Sequence, residues 1–169
     1  MNHPPILVGT SSVTATGWQG SFYPKGLRPA DYLSYYAQHF DAVEIDSTFY
    51  ATPNVSVVRS WNAKTPEGFL FAAKVPQEIT HKRVLKDCDE EFKVFLTTME
   101  ALGEKLGPLL FQFGKFDKYA FKSLDDSREA SSVSEKASEG ASLPSRFATR
   151  TGWFLHSQMC CESMASLSR

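Results

Sequence analysis

Two charged residues stand inside segments that otherwise have the composition of buried strands. Glu44 lies in the run AVEI, and Lys74 lies in the run FAAKV. A charge is costly to bury unless an opposite charge pairs with it, so we expect Glu44 and Lys74 to form a pair. Such a pair either only fills the interior of the fold, or it presents a carboxylate and an amine with shifted pKa values in a pocket.

His81 is a second candidate for chemistry. It lies in the basic segment ITHKR, shortly after the strand that holds Lys74. Histidine titrates near neutral pH, so one interpretation is a general acid or base, or a phosphate ligand beside Lys82 and Arg83. The other interpretation is an exposed loop histidine. On the functional interpretation we predict Glu44, Lys74 and His81 as catalytic residues.

Further polar residues lie at or just after the ends of the predicted strands. Functional groups of parallel α/β sheets gather at the carboxyl ends of the strands. This rule selects a larger set of polar residues that includes Thr48, and from it we take five ligand-binding candidates: Thr10, Asp46, Tyr50, Arg83 and Gln112. Glu44 and Asp46 share a strand face, where a divalent cation is conceivable, but no third ligand is identified and we predict no metal site. No familiar phosphate-binding or hydrolase motif is present, so the cofactor is left unassigned.

Hydrophobic patterning places these residues on alternating strands and helices. Predicted strands cover residues 6–8, 41–50, 69–75 and 109–113. The first helix, with Pro29 in its first turn, has an apolar face made by Leu33, Tyr36, Ala37 and Phe40. A second, short helix contains Val57, Val58 and Trp61.

The strongest helix pattern precedes the fourth strand. Asp87 and Glu90 form a capping-box pattern, or Asp89 caps the helix alone. The Gly107-Pro108 pair predicts its end. Its apolar face comprises Phe92, Phe95, Leu96, Met99, Leu102 and Leu106. The order βαβαβαβ predicts an α/β fold with a parallel sheet and right-handed crossovers.

Composition limits the class of protein. The chain has 169 residues, a net charge of −1 and 42% hydrophobic residues, which is typical of a soluble globular protein. It has no long apolar run, no signal-peptide pattern and no basic excess, so we predict neither a membrane nor a nucleic acid as partner. Three cysteines without a disulfide or zinc spacing favour a cytoplasmic location.

The last quarter of the chain differs from the rest. From residue 123 onward it contains 12 Ser in 47 residues. Such a segment has too few large apolar residues to offset the entropy of ordering it. We therefore predict a domain over residues 6–124 and a Ser-rich, disordered tail over residues 125–169.

Several blocks together resemble the domain-of-unknown-function 72 (YecE-like) family. They are VGTSS, GWQGSFYPKGL, LSYYAQHFDAVEIDSTFY, TPEGFLFAAKVPQEITHKR and GPLLFQFG, in that order. The resemblance implies a TIM-like (β/α) barrel with a pocket, and it supplies no established reaction. Two local departures stand out: Ser12-Val13 replace the usual Gly-Trp or Gly-Tyr, and Asp46 replaces the usual Asn, which adds negative charge beside Glu44.

A third departure concerns length. A barrel of this type needs about 250 residues, and the blocks cover only its N-terminal half. The resemblance therefore implies a partial TIM-like barrel of about four parallel strands, followed by an unrelated tail that looks frameshifted. Exposed sheet edges at the first and fourth strands predict self-association.

Three hypotheses on function follow. The first is a truncated, inactive product. The second is a small-molecule enzyme whose pocket uses Glu44, Lys74, His81 and Gln112. The third is a module that binds a small phosphorylated ligand through Lys74, His81 and Arg83 without chemistry. Glu44 discriminates the last two, because a carboxylate can serve as a base but hinders the binding of an anion.

Overall fold

A four-stranded parallel sheet organises the protein in the computed structural model, which describes residues 6–113. The strands are β1 (Gly9–Thr10), β2 (Ala42–Ile45), β3 (Leu70–Lys74) and β4 (Leu106–Leu110). They pair in sequence order, with β1 and β4 at the two edges. The predicted α/β class with a parallel sheet is confirmed. The Ser-rich tail predicted over residues 125–169 lies outside the described residues.

Helical segments connect the strands. They are α1 (Tyr32–Tyr36, after a 3₁₀ turn at Pro29–Asp31), α2 (Ser47–Tyr50), α3 (Val55–Ala63) and α4 (Asp89–Met99). A π-helix at Glu78–Lys82 follows β3, and a 3₁₀ segment at Glu100–Lys105 precedes β4. None of the helices within residues 6–113 is long and apolar enough to span a bilayer.

The two faces of the sheet differ in burial. On β3, Phe71 and Ala73 are fully buried in the core, whereas Leu70, Ala72 and Lys74 on the other face are half-buried. Because side chains alternate along a strand, the residues in register with Ala72 share that second face. Glu44 pairs with Ala72, so Glu44 and Lys74 emerge from the same face.

The first strand differs from its prediction. Residues 6–8 were expected to form a buried strand, but the strand covers Gly9–Thr10 and Ile6, Leu7 and Val8 are 89, 45 and 55% exposed. Within the described part of the chain β1 is an edge strand, so apolar residues at its start have a neighbour on one side only. The carbonyl of Val8 still accepts hydrogen bonds from the amides of Asp41 and Ala42.

The second strand is shorter than predicted. The sequence favoured extended structure over residues 41–50, but the strand ends at Ile45 and Ser47–Tyr50 form a helical turn. The Thr48 hydroxyl fixes this turn by donating to the carbonyls of Ile45 and Lys74, both at 2.7 Å. β-branched and aromatic residues favour strands on average, and this local hydrogen bonding overrides that preference.

The predicted capping residue and the predicted C-terminal end of the longest helix were both wrong. α4 has Cys88 at its N-cap with no side-chain cap, so neither Asp87 nor Asp89 caps it. The helix gives way to the 3₁₀ segment after Met99, and the left-handed glycine is Gly103, with φ of 57°. Gly107 and Pro108 lie inside β4. The apolar spacing misled because Leu102 and Leu106 stay buried after the α-helix ends.

Candidate functional site

The Lys74 side chain lies at the centre of a charged cluster at the carboxyl ends of β2 and β3. Its Nζ is 3.0 Å from Glu44 Oε1 and 2.5 Å from Asp46 Oδ1. The Lys74 side chain is 14% exposed, against 26% for Glu44 and 41% for Asp46. The structure therefore brings together the pair expected from the sequence and adds Asp46 as a second carboxylate on the same ammonium.

The electrostatics of the cluster keep Lys74 charged. Burial alone would lower the pKa of its ammonium, but hydrogen bonds to Asp46 and Glu44 and the negative charges of both carboxylates outweigh burial. The pKa of Lys74 is therefore raised above its ordinary value. With two carboxylates and one ammonium, the cluster has a formal net charge of −1.

Phe49 connects Lys74 to His81. The Lys74 Nζ lies 6.0 Å from the centroid of the Phe49 ring, at the range of a cation–π contact. The His81 ring meets Phe49 edge-on at 5.1 Å. His81 Nδ1 is 3.0 Å from the Thr80 hydroxyl. His81 thus lies one aromatic ring away from the charged cluster rather than in contact with Glu44 or Lys74.

The π-helix that carries His81 is held in place by Arg83. The Arg83 guanidinium forms ion pairs with Glu91 at 2.6 Å and with Glu78 at 3.6 Å, and it donates to the Asp87 carbonyl. π-helical turns are frequent at functional sites. The guanidinium predicted to bind a ligand is therefore occupied by groups of the protein.

The other three ligand-binding candidates lie apart from the cluster. Thr10 pairs with Val43 in the sheet and so points to the helix side, where its hydroxyl contacts Tyr36 and Ser12. Tyr50 is 73% exposed and packs edge-on against Phe49. Gln112 is exposed beyond the end of β4. The structure does not bring these residues into contact with Lys74, and their ligand-binding roles stay predictions.

Two further residues contact the cluster: Thr48, which the sequence marked only as one of several polar residues after the second strand, and Phe49, which sequence reasoning missed. The Thr48 hydroxyl ties the end of β2 to the backbone of Lys74 itself. Both residues lie in the STFY segment directly after Asp46. The sequence signal for both residues was their position directly after the end of β2. Side chains in a turn at that position lie close to the charged residues at the end of the strand.

Glu44 and Asp46 share a strand face, and two carboxylates so placed are typical ligands of a divalent cation. In the structure both carboxylates bind the Lys74 ammonium instead. Within residues 6–113 no group of three or more histidine, cysteine, aspartate or glutamate side chains is placed to hold a metal ion.

These features define the class of protein: an α/β fold of the TIM-like (β/α) barrel type, with four parallel strands in residues 6–113 and a charged cluster at their carboxyl ends. The chain belongs to the family described as "Protein of unknown function DUF72", which matches residues 7–135. The resemblance inferred from the sequence blocks is thereby confirmed.

Two curated relatives agree with this assignment. The UPF0759 protein YecE of Escherichia coli K12 is 39% identical over 80 residues, which cover 47% of this chain and 29% of YecE. The UPF0759 protein YunF of Bacillus subtilis 168 is 38% identical over 107 residues, which cover 58% of this chain and 38% of YunF. The chain thus spans well under half the length of the curated relatives that it matches.

The fold is also that of a solved structure. A crystal structure of a DUF72 family protein (EF0366) from Enterococcus faecalis V583 at 2.52 Å superposes with a TM-score of 0.56 and 24% identity, covering 79% of this chain and 48% of that protein. A second crystal structure of EF0366, at 3.10 Å, gives a TM-score of 0.58, also at 24% identity, over 76% of this chain and 46% of that one. This likeness supports the barrel fold.

Proposed function

We propose that the Glu44–Asp46–Lys74 cluster is an enzyme site for a small polar molecule without negative charge, in which Glu44 accepts a proton. One observation carries this proposal: the Lys74 ammonium is already held by two carboxylates. A ligand that approaches the cluster meets a net negative charge. Hydroxyl, carbonyl or amine groups suit that environment better than a phosphate does.

The same contacts disfavour a phosphorylated ligand. Two of the groups predicted to bind phosphate, Lys74 and Arg83, are each engaged by two carboxylates. Lys82 is paired with Glu78 at 2.7 Å. A phosphate would have to displace these carboxylates or accept their repulsion.

The protonation state of Lys74 limits its role. A lysine acts as a nucleophile only as the neutral amine, and the raised pKa of Lys74 keeps it an ammonium at neutral pH. Lys74 therefore serves as a fixed positive charge that holds the Glu44 and Asp46 carboxylates in place, while Glu44 serves as the base. The Phe49 ring separates His81 from the cluster, so we assign His81 no proton transfer in this proposal.

A binding experiment tests this function with a neutral and an anionic probe. In an NMR titration of the ¹⁵N-labelled chain, D-ribose is expected to shift the amide signals of residues 44–49, with a Kd in the millimolar range for so small a ligand. Inorganic phosphate is expected to leave the same signals unchanged. Stronger binding of phosphate than of ribose at Lys74 would overturn the proposal.

Matched variants separate binding from stability. Glu44→Gln is expected to abolish ribose binding and to lower the free energy of unfolding by only about 1 kcal/mol, because Asp46 still neutralises Lys74. Glu78→Gln, which alters an exposed ion pair away from the cluster, is expected to leave binding unchanged. Equal effects of the two variants on binding would contradict a role for Glu44.

Self-association through the sheet edges is a further part of this proposal. The exposed residues Ile6, Leu7 and Val8 lie beside the edge strand β1. We expect the chain to form dimers or larger species in light-scattering measurements, and Ile6→Lys to reduce them more than Val94→Lys on the exposed surface of α4. A monodisperse monomer with a melting temperature independent of concentration would show that the edges do not recruit a second copy.

Two earlier hypotheses stay predictions: that the chain is a truncated, inactive product, and that it is cytoplasmic. The ribose titration bears on the first, because a product without a working site should bind neither probe.

A further inference from the structure

A pocket of about 470 Å³ lies on the helix side of the sheet, between α1 and α3. Its apolar lining includes Leu33, Val43, Ile45, Trp61 and Phe71. The volume falls within the range of small-molecule sites, which are mainly apolar with a few polar groups. The Lys74 side chain emerges from the other face of the sheet and does not line this pocket, although Glu44 and Asp46 of the candidate site do.

The sequence of α3 explains why the pocket is open. Val57 and Trp61, four residues apart, present an apolar stripe to it. Ser56, Ser60 and Lys64, also spaced by four, present a parallel stripe of small hydroxyls that ends in an ammonium. Small serines leave the space that larger apolar residues would fill between neighbouring helices.

The charges at the pocket are asymmetric. Lys64 Nζ donates to the carbonyl of Ala30 at 2.8 Å, which is a neutral partner and leaves the ammonium charge uncompensated. Glu44 and Asp46 also contribute to the lining, and their negative charge is attached to β2 and the turn that follows it. An anionic group would therefore be attracted towards Lys64 and repelled from the end of β2.

We propose that this pocket binds a small apolar carboxylic acid, with a ring or branched body between α1 and α3 and its carboxylate at Lys64. The body would cover the apolar stripe and contact the face of Trp61. The carboxylate would accept a hydrogen bond from the Lys64 ammonium. This pocket borders the enzyme site proposed above at Glu44 and Asp46, but it does not include Lys74.

The test uses 2-naphthoate and 2-naphthol, which share one body and differ in charge. In calorimetric titrations of the full 169-residue chain we expect saturable binding of both, with 2-naphthoate bound about fivefold more tightly, as suits one partly exposed ion pair. Lys64→Met is expected to remove that preference and to leave 2-naphthol binding unchanged. Each probe is also expected to quench tryptophan fluorescence, and this quenching is expected to disappear in Trp61→Phe. That result would locate the probe in the pocket.

Filling the pocket provides the second arm. Ser60→Phe is expected to weaken both probes at least tenfold, whereas Val55→Phe, on the same helix but outside the lining, is expected to change binding less than twofold. If circular dichroism shows that Ser60→Phe does not fold, Val57→Trp fills the same space. The proposal fails if neither probe saturates, if the filled variants bind as the parent does, or if Val55→Phe weakens binding equally.

One competition separates this proposal from the enzyme site. D-ribose is expected to leave 2-naphthoate binding unchanged. It is added at a concentration that saturates the NMR shifts of residues 44–49, or at its solubility limit if no shift is seen. Displacement of 2-naphthoate by ribose would mean that the two ligands share one site, and the separate pocket would be refuted.

Discussion

Replacing Lys74 by methionine is expected to lower the free energy of unfolding by about 2 kcal/mol at pH 7. The substitution leaves Glu44 and Asp46 half-buried beside each other with no cation between them. Removing one partner of a deeply buried ion pair costs about 3–5 kcal/mol, and the partial exposure of this cluster reduces that cost. Urea denaturation at several pH values measures the effect.

The pH dependence identifies the cause. In the parent chain Lys74 has a raised pKa, so its stabilising contribution is complete at neutral pH and is lost only when the pH rises above 10.5 and through that raised value. Lys74→Met has no ammonium to titrate, so its stability should lack this loss, and the difference between variant and parent should shrink as the pH rises through that value.

A surface lysine provides the control for this prediction. Lys82→Met breaks an ion pair with Glu78 in which the Lys82 side chain is 64% exposed, and we expect a loss below about 0.5 kcal/mol. If Lys74→Met is no more destabilising than Lys82→Met, or if its defect does not depend on pH, the ammonium does not hold the two carboxylates together.

Gly9→Ala is expected to be more damaging still, with a loss of about 3 kcal/mol. A Cβ atom at Gly9 would lie 2.0 Å from the Ala42 carbonyl oxygen and 2.6 Å from its carbon, which are backbone atoms of the neighbouring strand. β1 would have to move away from β2. The hydrogen bond from the Thr10 amide to the Tyr36 hydroxyl, 2.8 Å long, would be lost with it.

Gly107→Ala is the graded control for the strand contact. Its Cβ would lie 3.0 Å from the Phe71 carbonyl oxygen, a tight contact that a small shift relieves, so we expect about 1 kcal/mol. Hydrogen exchange should show fast exchange of the Thr10 amide in Gly9→Ala alone. Protection of that amide at the parent level would contradict a close backbone approach at Gly9.

The pairing of Glu44 with Lys74 was predictable because a charge inside an apolar strand has few ways to be satisfied. The period of two along a strand then places Glu44 and Asp46 on one side, and both reach Lys74 in the structure. His81 was harder to place, because it belongs to a π-helix next to Arg83, which pairs with Glu78 in that helix and with Glu91 in α4. Such tertiary contacts leave no periodic signal.

The errors in secondary structure have a common physical origin. Apolar spacing reports which residues are buried, and Leu102 and Leu106 are buried as it indicates. It does not report the backbone conformation, which changes from α to 3₁₀ to strand along the same buried face. The pocket between α1 and α3 was not predicted. The serine spacing on α3 indicates an open space only when the position of α1 opposite it is known.

The Thr48 hydroxyl shares one proton between two carbonyls, and one of these belongs to the residue that carries the ammonium. The backbone position from which the Lys74 side chain extends is therefore fixed by the Thr48 hydroxyl, which is not itself part of the charged cluster. Valine has the same shape but cannot donate, so a mutational scan would score Thr48 as intolerant even of its isostere. Mutational sensitivity alone would then assign Thr48 to the catalytic or binding residues. Its hydroxyl instead links the end of β2 to the end of β3.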